Sequence, residues 1–269
     1  MDAAAKGLTR NGGGARPWSA AAEALLLTRD GVGIHAAHRP SDDPSSELAV
    51  VVAHGFGGAV ERPAVRRAAE VLGRRAGVVT FSFRGHGRSG GRSTVGDREV
   101  QDLEAAVDWV RSLGYPRIVT VGFSMGGAVA VRHAALYGGV RAVAAVSAPA
   151  RWYYRGTVPM RRLHWVVMKP LGRAVGRIAL RTRIDPHEWM DVPLPPVQAA
   201  ARLVGLGIPL LVVHGDSDPY FPLDHPRSLH AAAAEGGAEL WIEKGFGHAE
   251  NAADEPLLER VGEWLTRAR

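Results

Sequence analysis

Short runs dominated by apolar, often β-branched residues recur along the chain and constrain its fold most strongly. They span residues 48–53, 78–83, 118–121, 140–147 and 209–213. A run such as 48–53, apolar at every position, is typical of a strand buried on both faces of a parallel sheet. Helical spacing of apolar residues separates several of these runs, as at 63–75 and at 97–113, where Asp97 is expected at the N-cap. This alternation predicts an α/β fold with a doubly wound, mostly parallel sheet.

The order of these segments predicts one domain with an arm and an insertion. Residues 1–20 are rich in Ala and Gly and are predicted to form a flexible N-terminal arm. The domain is expected over 21–269, beginning with a hairpin whose turn contains Asp30-Gly31. Residues from about 149 to 206 lack buried-strand runs, so we expect a helical lid inserted over the sheet. Alternation of strands and helices then resumes.

Composition excludes several classes of chemistry and of location. The chain contains no Cys, which removes thiolate nucleophiles, disulfides and Cys-ligated metals. No apolar run reaches the roughly 18–20 residues of a membrane span, and the first twenty residues lack the apolar core of a signal peptide. A soluble cytoplasmic protein is therefore expected.

The segment Gly122-Phe123-Ser124-Met125-Gly126-Gly127 follows one of the apolar runs directly. This arrangement is typical of a nucleophile elbow, in which a Ser sits on a sharp turn between a strand and a helix. The strained turn requires residues with almost no side chain two positions before and after the Ser, and Gly122 and Gly126 meet that need. A helix beginning after Ser124 would direct its N-terminal N–H groups at an oxyanion.

Chemically unusual residues follow four of the predicted strands, the last of which spans residues 239–243. They are His54-Gly55-Phe56, Ser124, His214-Gly215-Asp216-Ser217-Asp218 and Gly247-His248. Ligands of open α/β sheets bind beyond the carboxyl ends of the strands, so these residues are expected to meet at one edge. A Ser hydroxyl needs an imidazole to remove its proton, and the imidazole needs a carboxylate to fix its tautomer. The order Ser, Asp, His along the chain is the one found in α/β-hydrolases.

Over about residues 25–265 the chain resembles an α/β-hydrolase fold serine hydrolase of the esterase, lipase and thioesterase type. The motifs quoted above carry the resemblance, together with Arg84-Gly85-His86-Gly87-Arg88-Ser89. The resemblance implies that Ser124 is the nucleophile, Asp218 the orienting acid and His248 the general base. It also implies an oxyanion hole built from two backbone N–H groups, those of Phe56 and Met125.

Neighbouring residues leave alternatives to these roles. Asp216 could be the acid, although the family pattern favours Asp218. His54 and His86 could be bases, and a structural role in their loops is the other interpretation. The acidic residues of the predicted helix 97–113 are interpreted as a solvated face in preference to a metal site; they are Asp97, Glu99, Asp102, Glu104 and Asp108.

The net charge of +6 is concentrated in one part of the predicted lid. Between Arg151 and Arg183 there are nine Lys and Arg residues and no Asp or Glu. Four of them recur every four residues and predict a cationic stripe on an amphipathic helix: Lys169, Arg173, Arg177 and Arg181. The stripe is interpreted either as a solvated face or as a surface that attracts an anionic substrate or an anionic membrane.

The resemblance implies an enzyme that cleaves a carboxylic ester or thioester through an acyl-enzyme on Ser124. The expected partner is a small-molecule acyl ester or thioester, with no nucleic acid, cofactor or metal. The same three side chains could also serve an amide or peptide hydrolase or an acyltransferase. A hydrolase-fold protein that binds its ligand with little turnover is the alternative from a different functional class.

Overall fold

The computed structural model describes residues 21–268, so the predicted arm 1–20 lies outside the described residues. The strands are β1 Ala22–Leu27, β2 Gly33–Arg39, β3 Leu48–Ala53, β4 Gly77–Phe81, β5 Arg117–Phe123, β6 Val143–Val146, β7 Leu210–Gly215 and β8 Glu239–Glu243. The helices are α1 Pro63–Leu72, α2 Glu99–Ser112, α3 Met125–Tyr137, α4 Val158–Met168, α5 Pro170–Ala179, α6 Pro196–Leu206, α7 Asp224–Ala233, α8 Ala249–Ala252 and α9 Glu255–Arg267.

These strands form one sheet in the order β1-β2-β4-β3-β5-β6-β7-β8. The pairings of β1 with β2 and of β2 with β4 are antiparallel, and all the later pairings are parallel. From β3 the chain first adds β4 on one side and then crosses to the other side, where β5 to β8 follow in order. This change of direction is typical of a doubly wound sheet. The predicted fold class, a mostly parallel α/β sheet, is confirmed.

Helices cover both faces of the sheet, which is why its central strands are apolar at nearly every position. Along β3, Ala49 and Val51 contribute to one core together with α2, α3, α6 and α7. Leu48 and Val50 contribute to the opposite core together with α1 and α9. Because successive side chains of a strand point to opposite faces, both alternating sets must be apolar.

Helix α2 begins later than its sequence suggests. Asp97 was expected at the N-cap, whereas the helix begins at Glu99 and Arg98 occupies the cap without a side-chain hydrogen bond. The carboxylate of Glu99 accepts hydrogen bonds from the N–H groups of Thr94, Val95 and Gly96 instead. Asp97 accepts from Arg132, so its side chain ties the loop to α3.

The segment between β6 and β7 contains two kinds of helix. Helix α6 packs Ala199, Ala200 and Leu203 into the core beside α3, so it belongs to a layer that covers the sheet. Helices α4 and α5 lie outside that layer, since α4 has no buried residue and α5 buries only Gly172 and Gly176. The part of the predicted insertion that does not belong to the core therefore centres on the α4–α5 pair.

Candidate active site

Ser124 lies on the turn between β5 and α3 in a strained conformation, with φ 50° and ψ −118°. A Cβ on Gly122 would stand 2.2 Å from the carbonyl oxygen of Gly126. A Cβ on Gly126 would stand 2.3 Å from the carbonyl oxygen of Ala53 on the neighbouring strand. The two glycines therefore let three backbone segments meet closely enough to hold the serine hydroxyl at the carboxyl edge of the sheet.

Three of the predicted site residues form one chain of hydrogen bonds. His248 Nε2 lies 2.9 Å from Ser124 Oγ, and His248 Nδ1 lies 2.7 Å from Asp218 Oδ2. Asp218 follows β7 and His248 follows β8, two strands that are adjacent in the sheet. The parallel register thus brings together residues that are 124 positions apart in sequence.

Asp218 is held as a carboxylate by its surroundings. Its Oδ1 accepts hydrogen bonds from the backbone N–H groups of Tyr220 at 2.8 Å and Phe221 at 3.2 Å. Burial alone would raise the pKa of Asp218, but the hydrogen bonds and the neighbouring His248 outweigh it and lower the pKa below the ordinary Asp value. A buried carboxylate with both oxygens occupied has little freedom to rotate away from His248.

Asp216, the alternative acid, has a different role. Its Oδ1 accepts from the N–H of Gly245 at 2.7 Å and from the hydroxyl of Ser217. The side chain is exposed and joins the turn after β7 to the turn after β8. The structure places Asp218, and not Asp216, against His248.

His54 and His86, the alternative bases, are both buried. His54 Nδ1 donates to the carbonyl of Gly55 at 2.7 Å, and its Nε2 accepts from the N–H of Phe83 at 3.0 Å. Burial, with a smaller contribution from His86, lowers the pKa of His54 to about 3. Burial also lowers the pKa of His86, whose Nδ1 donates to the carbonyl of Arg84. Both are neutral rings that organise loops around the site.

Phe56 and Met125, the predicted oxyanion donors, lie at the same edge of the sheet. Phe56 follows β3 and Met125 is the first residue of α3, directly after Ser124. Because β3 and β5 pair in parallel, Ala53 is opposite Gly122 and the two loops leave the sheet side by side. The backbone of each loop therefore lies next to Ser124.

The interpretation of the α2 acidic residues as a solvated face is wrong for three of them. Glu99, Asp102 and Glu104 are buried, because each has a partner inside the protein. Glu99 binds the 93–96 loop, Asp102 pairs with Arg84, and Glu104 pairs with His133. Within residues 21–268, no group of three or more His, Asp or Glu side chains is arranged to hold a metal ion.

A cavity of about 410 Å³ lies between α4 and the segment 185–192. Its apolar wall includes Trp152, Tyr154, Met160, Leu163, Val167 and Trp189. Tyr154 also packs against Phe221, whose ring centroid lies 5.6 Å from that of His248. These ring contacts connect the cavity to the candidate triad through Phe221, and none of Ser124, Asp218 and His248 lines the cavity itself. A larger depression, about 690 Å³, lies at the opposite edge of the sheet and contains none of the site residues.

Glu250 is a residue of this region that the sequence did not single out. It lies two positions after His248, is 5% exposed, and accepts a hydrogen bond from the N–H of Gly55 at 2.9 Å. The signal that could have identified it is an acidic residue two positions after the candidate base, in a stretch that is otherwise Ala and Asn, Ala249 to Ala253. Spacing alone gives no indication that its partner lies 195 positions earlier.

Comparison with known proteins gives consistent results. A monoacylglycerol lipase of Mycolicibacterium smegmatis is 28% identical, and the match covers 84% of this chain and 90% of that protein. The structure of an esterase from Pyrococcus furiosus superposes with a TM-score of 0.72 at 24% identity, covering 92% of both chains. An α/β serine hydrolase without a lid from Xanthomonas campestris superposes with a TM-score of 0.58 at 22% identity, covering 92% of this chain and 93% of that one.

The family model described as serine aminopeptidase, S33, matches residues 44–193, which is more than half of the chain. The matched region contains the loop after β3, the Ser124 turn and the α4–α5 pair. The resemblance to the α/β-hydrolases is therefore confirmed, and the chain belongs to the serine aminopeptidase S33 family of α/β-hydrolase enzymes.

Proposed function

We propose that this protein is a serine hydrolase that cleaves a carboxylic ester through an acyl-enzyme on Ser124. The observation that carries the proposal is the continuous chain of hydrogen bonds from Ser124 through His248 to Asp218. Oriented in this way, His248 Nε2 can accept the hydroxyl proton while Nδ1 keeps its own proton on Asp218. The negative charge of Asp218 stabilises the imidazolium that forms.

The reaction proceeds in two acyl transfers. Ser124 Oγ attacks the ester carbonyl as His248 takes its proton, and the carbonyl oxygen becomes an oxyanion. The backbone N–H groups of Phe56 and Met125 are proposed to bind that oxyanion, a contribution of about 3–4 kcal/mol per donor in enzymes of this kind. His248 then protonates the leaving alcohol, and water activated by the same imidazole releases the acid from Ser124.

An acyl ester is favoured as the substrate for two reasons. The apolar cavity beside Tyr154 and Phe221 suits an alkyl or aryl group of the ester. The relatives named as a lipase and an esterase act on esters, and a thioester differs from an ester only in its leaving atom. We propose a small-molecule carboxylic ester as the principal substrate and a thioester as an alternative that the same residues can cleave.

Cleavage of an aminoacyl amide is the second candidate. Asp185 and Glu188 line the same cavity and offer carboxylates that could bind the ammonium group of a free amino terminus. The family description as an aminopeptidase agrees with this possibility. A matched pair of substrates distinguishes amide cleavage from ester cleavage: an amino acid p-nitroanilide and the corresponding N-acyl p-nitrophenyl ester. A higher kcat/KM for the anilide would show that amide cleavage, and not ester cleavage, is the main activity.

The exposed surface of α4 and α5 is proposed to contact an anionic membrane or lipid aggregate. Leu171 and Ile178 are 69% and 81% exposed on α5, and the exposed cations Arg177, within α5, and Arg181, two residues beyond its end, are close to Ile178 in sequence. An apolar strip with flanking positive charge is the arrangement by which helices lie on an anionic lipid surface. No helix in the described part of the chain has the length and apolarity of a membrane span.

Sedimentation with vesicles tests this membrane contact. Binding to phosphatidylglycerol vesicles should exceed binding to phosphatidylcholine vesicles and should fall with added salt. Replacing both Leu171 and Ile178 with Ser should remove it, whereas Leu25→Ser, at an equally exposed residue of β1, should not. Equal binding to both lipids, or equal loss in the Leu25 variant, would reject the contact.

A fluorophosphonate probe tests the serine chemistry. Wild-type protein should be labelled, and Ser124→Ala should abolish both labelling and hydrolysis of p-nitrophenyl esters. A panel of esters with different acyl lengths would then define the substrate class. Absence of labelling in folded wild-type protein would favour a binding protein with little turnover and would overturn the proposed function.

A further inference from the structure

The carboxyl of Glu250 lies behind the loop that is proposed to bind the oxyanion. A Cβ placed on Gly55 would stand 3.1 Å from Glu250 Oε2 and 3.3 Å from Ser124 Cβ. Glu250 and Ser124 thus flank the same glycine, and a Cβ there would be crowded by both of them. Arg67 of α1 donates to the backbone carbonyl of Glu250 at 2.8 Å and holds α8 in place.

Both peptide groups of Gly55 are fixed by buried side chains. Its N–H donates to Glu250 Oε1 at 2.9 Å, and its carbonyl accepts from His54 Nδ1 at 2.7 Å. The carbonyl of Gly55 and the N–H of Phe56 belong to one planar trans peptide, so they point in opposite directions. Fixing the two planes on either side of the Gly55 Cα therefore fixes the direction of the Phe56 N–H.

We propose that Glu250 is a positioning residue of the acyl-transfer site, which holds the Gly55 backbone so that the Phe56 N–H points at the oxyanion. The inference rests on the proposed function of Ser124 and Phe56. Glu250 also links two segments that must act together, because it lies in α8, whose N-cap residue is His248, and bonds to the loop after β3. Its role is to couple the position of the base to that of the oxyanion donor.

A neutral carboxyl suits this role better than a carboxylate. Glu250 Oε2 is buried and has no hydrogen-bond partner within residues 21–268, so ionisation would leave one of the two carboxylate oxygens without a donor. Burial raises the pKa of Glu250 above the ordinary Glu value. A neutral acid still accepts the Gly55 N–H through its carbonyl oxygen and adds no negative charge beside the developing oxyanion. The group needed is therefore an acceptor, and Gln can supply it.

Three substitutions of Glu250 test the inference. Glu250→Gln keeps the acceptor, Glu250→Leu keeps much of the volume without an acceptor, and Glu250→Asp withdraws the carboxyl by one methylene. Glu235→Leu, at an exposed residue in the turn directly after α7, is the matched control. The readouts are kcat and KM for p-nitrophenyl butyrate, the dissociation constant of butylboronic acid, which forms a tetrahedral adduct with a serine, and thermal melting.

We expect Glu250→Leu to lower kcat by about 10- to 100-fold with KM changed by less than about threefold, because only the transition state uses the Phe56 N–H. Affinity for the boronic acid should fall in parallel. Glu250→Gln should stay within about threefold of wild type, and Glu250→Asp should lie between the two. If Glu250→Leu is too unstable to assay, the Asp and Gln variants still differ in acceptor position.

Equal kcat in the Gln, Asp and Leu variants would overturn the inference, since filling the space would then be enough. A loss in Glu250→Gln as large as that in Glu250→Leu would also overturn it, because an acceptor would not be what the site needs. Both results require an active wild type. A folded wild type that neither hydrolyses esters nor binds the boronic acid would instead overturn the proposed function and this inference with it.

Discussion

Replacing Asp218 with Asn tests how the structure sets the tautomer of His248. Asp218 Oδ1 accepts the N–H groups of Tyr220 and Phe221, and Oδ2 accepts from His248 Nδ1. An Asn at this position has one oxygen, and two backbone donors already require it. Its NH₂ group must therefore face His248, where the wild type has an acceptor.

The consequence is a reversed imidazole. With an NH₂ donor opposite it, His248 Nδ1 becomes the acceptor and the ring proton moves to Nε2. Nε2 faces Ser124 Oγ at 2.9 Å and can then only donate, so it cannot remove the hydroxyl proton. Loss of the correct tautomer in a Ser-His-Asp enzyme costs about 10⁴-fold in kcat, equivalent to roughly 5.5 kcal/mol of transition-state stabilisation. KM should change little, since neither residue is proposed to bind the acyl group.

The assay is steady-state hydrolysis of p-nitrophenyl butyrate together with the rate of fluorophosphonate labelling, and both should fall in Asp218→Asn. Asp216→Asn is the control, because the exposed Asp216 bonds Gly245 and its amide oxygen can keep that bond. The control should stay within about threefold of wild type. A decrease of less than tenfold in folded Asp218→Asn, or an equal decrease in Asp216→Asn, would refute the reasoning.

Three further predictions concern stability and specificity. Burial lowers the folded-state pKa of His54 to about 3 and, with a smaller contribution from Arg151, that of His225 to about 4. The unfolded chain therefore binds more protons at these two residues below about pH 6.5, and they should remove about 4 kcal/mol of unfolding free energy between pH 7.5 and pH 5. Burial raises the pKa of Asp102 to about 7 and also raises that of Glu250, which acts in the opposite direction, so urea titration should compare wild type with His225→Gln. The variant should lose about 2 kcal/mol less than wild type over this range, and an equal loss would contradict this. Gly126→Ala should destabilise the protein by about 3 kcal/mol, because its Cβ would meet two backbone oxygens within 2.5 Å. Gly205→Ala, in open space on α6, should instead stabilise the protein by about 0.5–1 kcal/mol. Thermal melting measures both variants, and equal shifts would contradict the packing argument. Leu163→Trp should fill the cavity and lower kcat/KM for octanoyl esters at least about tenfold more than for acetyl esters; an unchanged ratio would exclude the cavity as the acyl site.

The sheet was predictable because burial on two faces leaves a strong pattern in the sequence. Leu48 to Ala53 is apolar throughout, and the structure buries every one of these residues between two helical layers. The elbow was predictable for a similar reason, since the backbone contacts at Gly122 and Gly126 exclude any side chain. A steric requirement of this kind determines the residue type at its own position, so it can be recognised in the sequence without knowing which distant segment the residue contacts.

Features that depend on distant partners could not be predicted in this way. Asp102 looks like a surface residue in sequence, yet it is buried because Arg84 reaches it from the loop after β4. The N-terminus of α2 was misplaced because the Glu99 carboxylate binds the preceding loop and replaces a cap at Asp97. Glu250 was missed because its partner Gly55 lies on a loop 195 residues earlier. Each case joins two segments whose proximity only the folded chain determines.

The packing between α4 and α5 limits how the entrance to the cavity can change. A Cβ on Gly172 would stand 2.2 Å from the carbonyl oxygen of Trp165, and one on Gly176 would stand 3.0 Å from Val166. The two helices thus touch backbone to backbone at Gly172 and backbone to side chain at Gly176, while neither buries a large residue in the main core. Because of this packing, we expect α4 and α5 to move together in any motion that widens the entrance, so a disulfide linking α4 to α5 would leave such a motion intact.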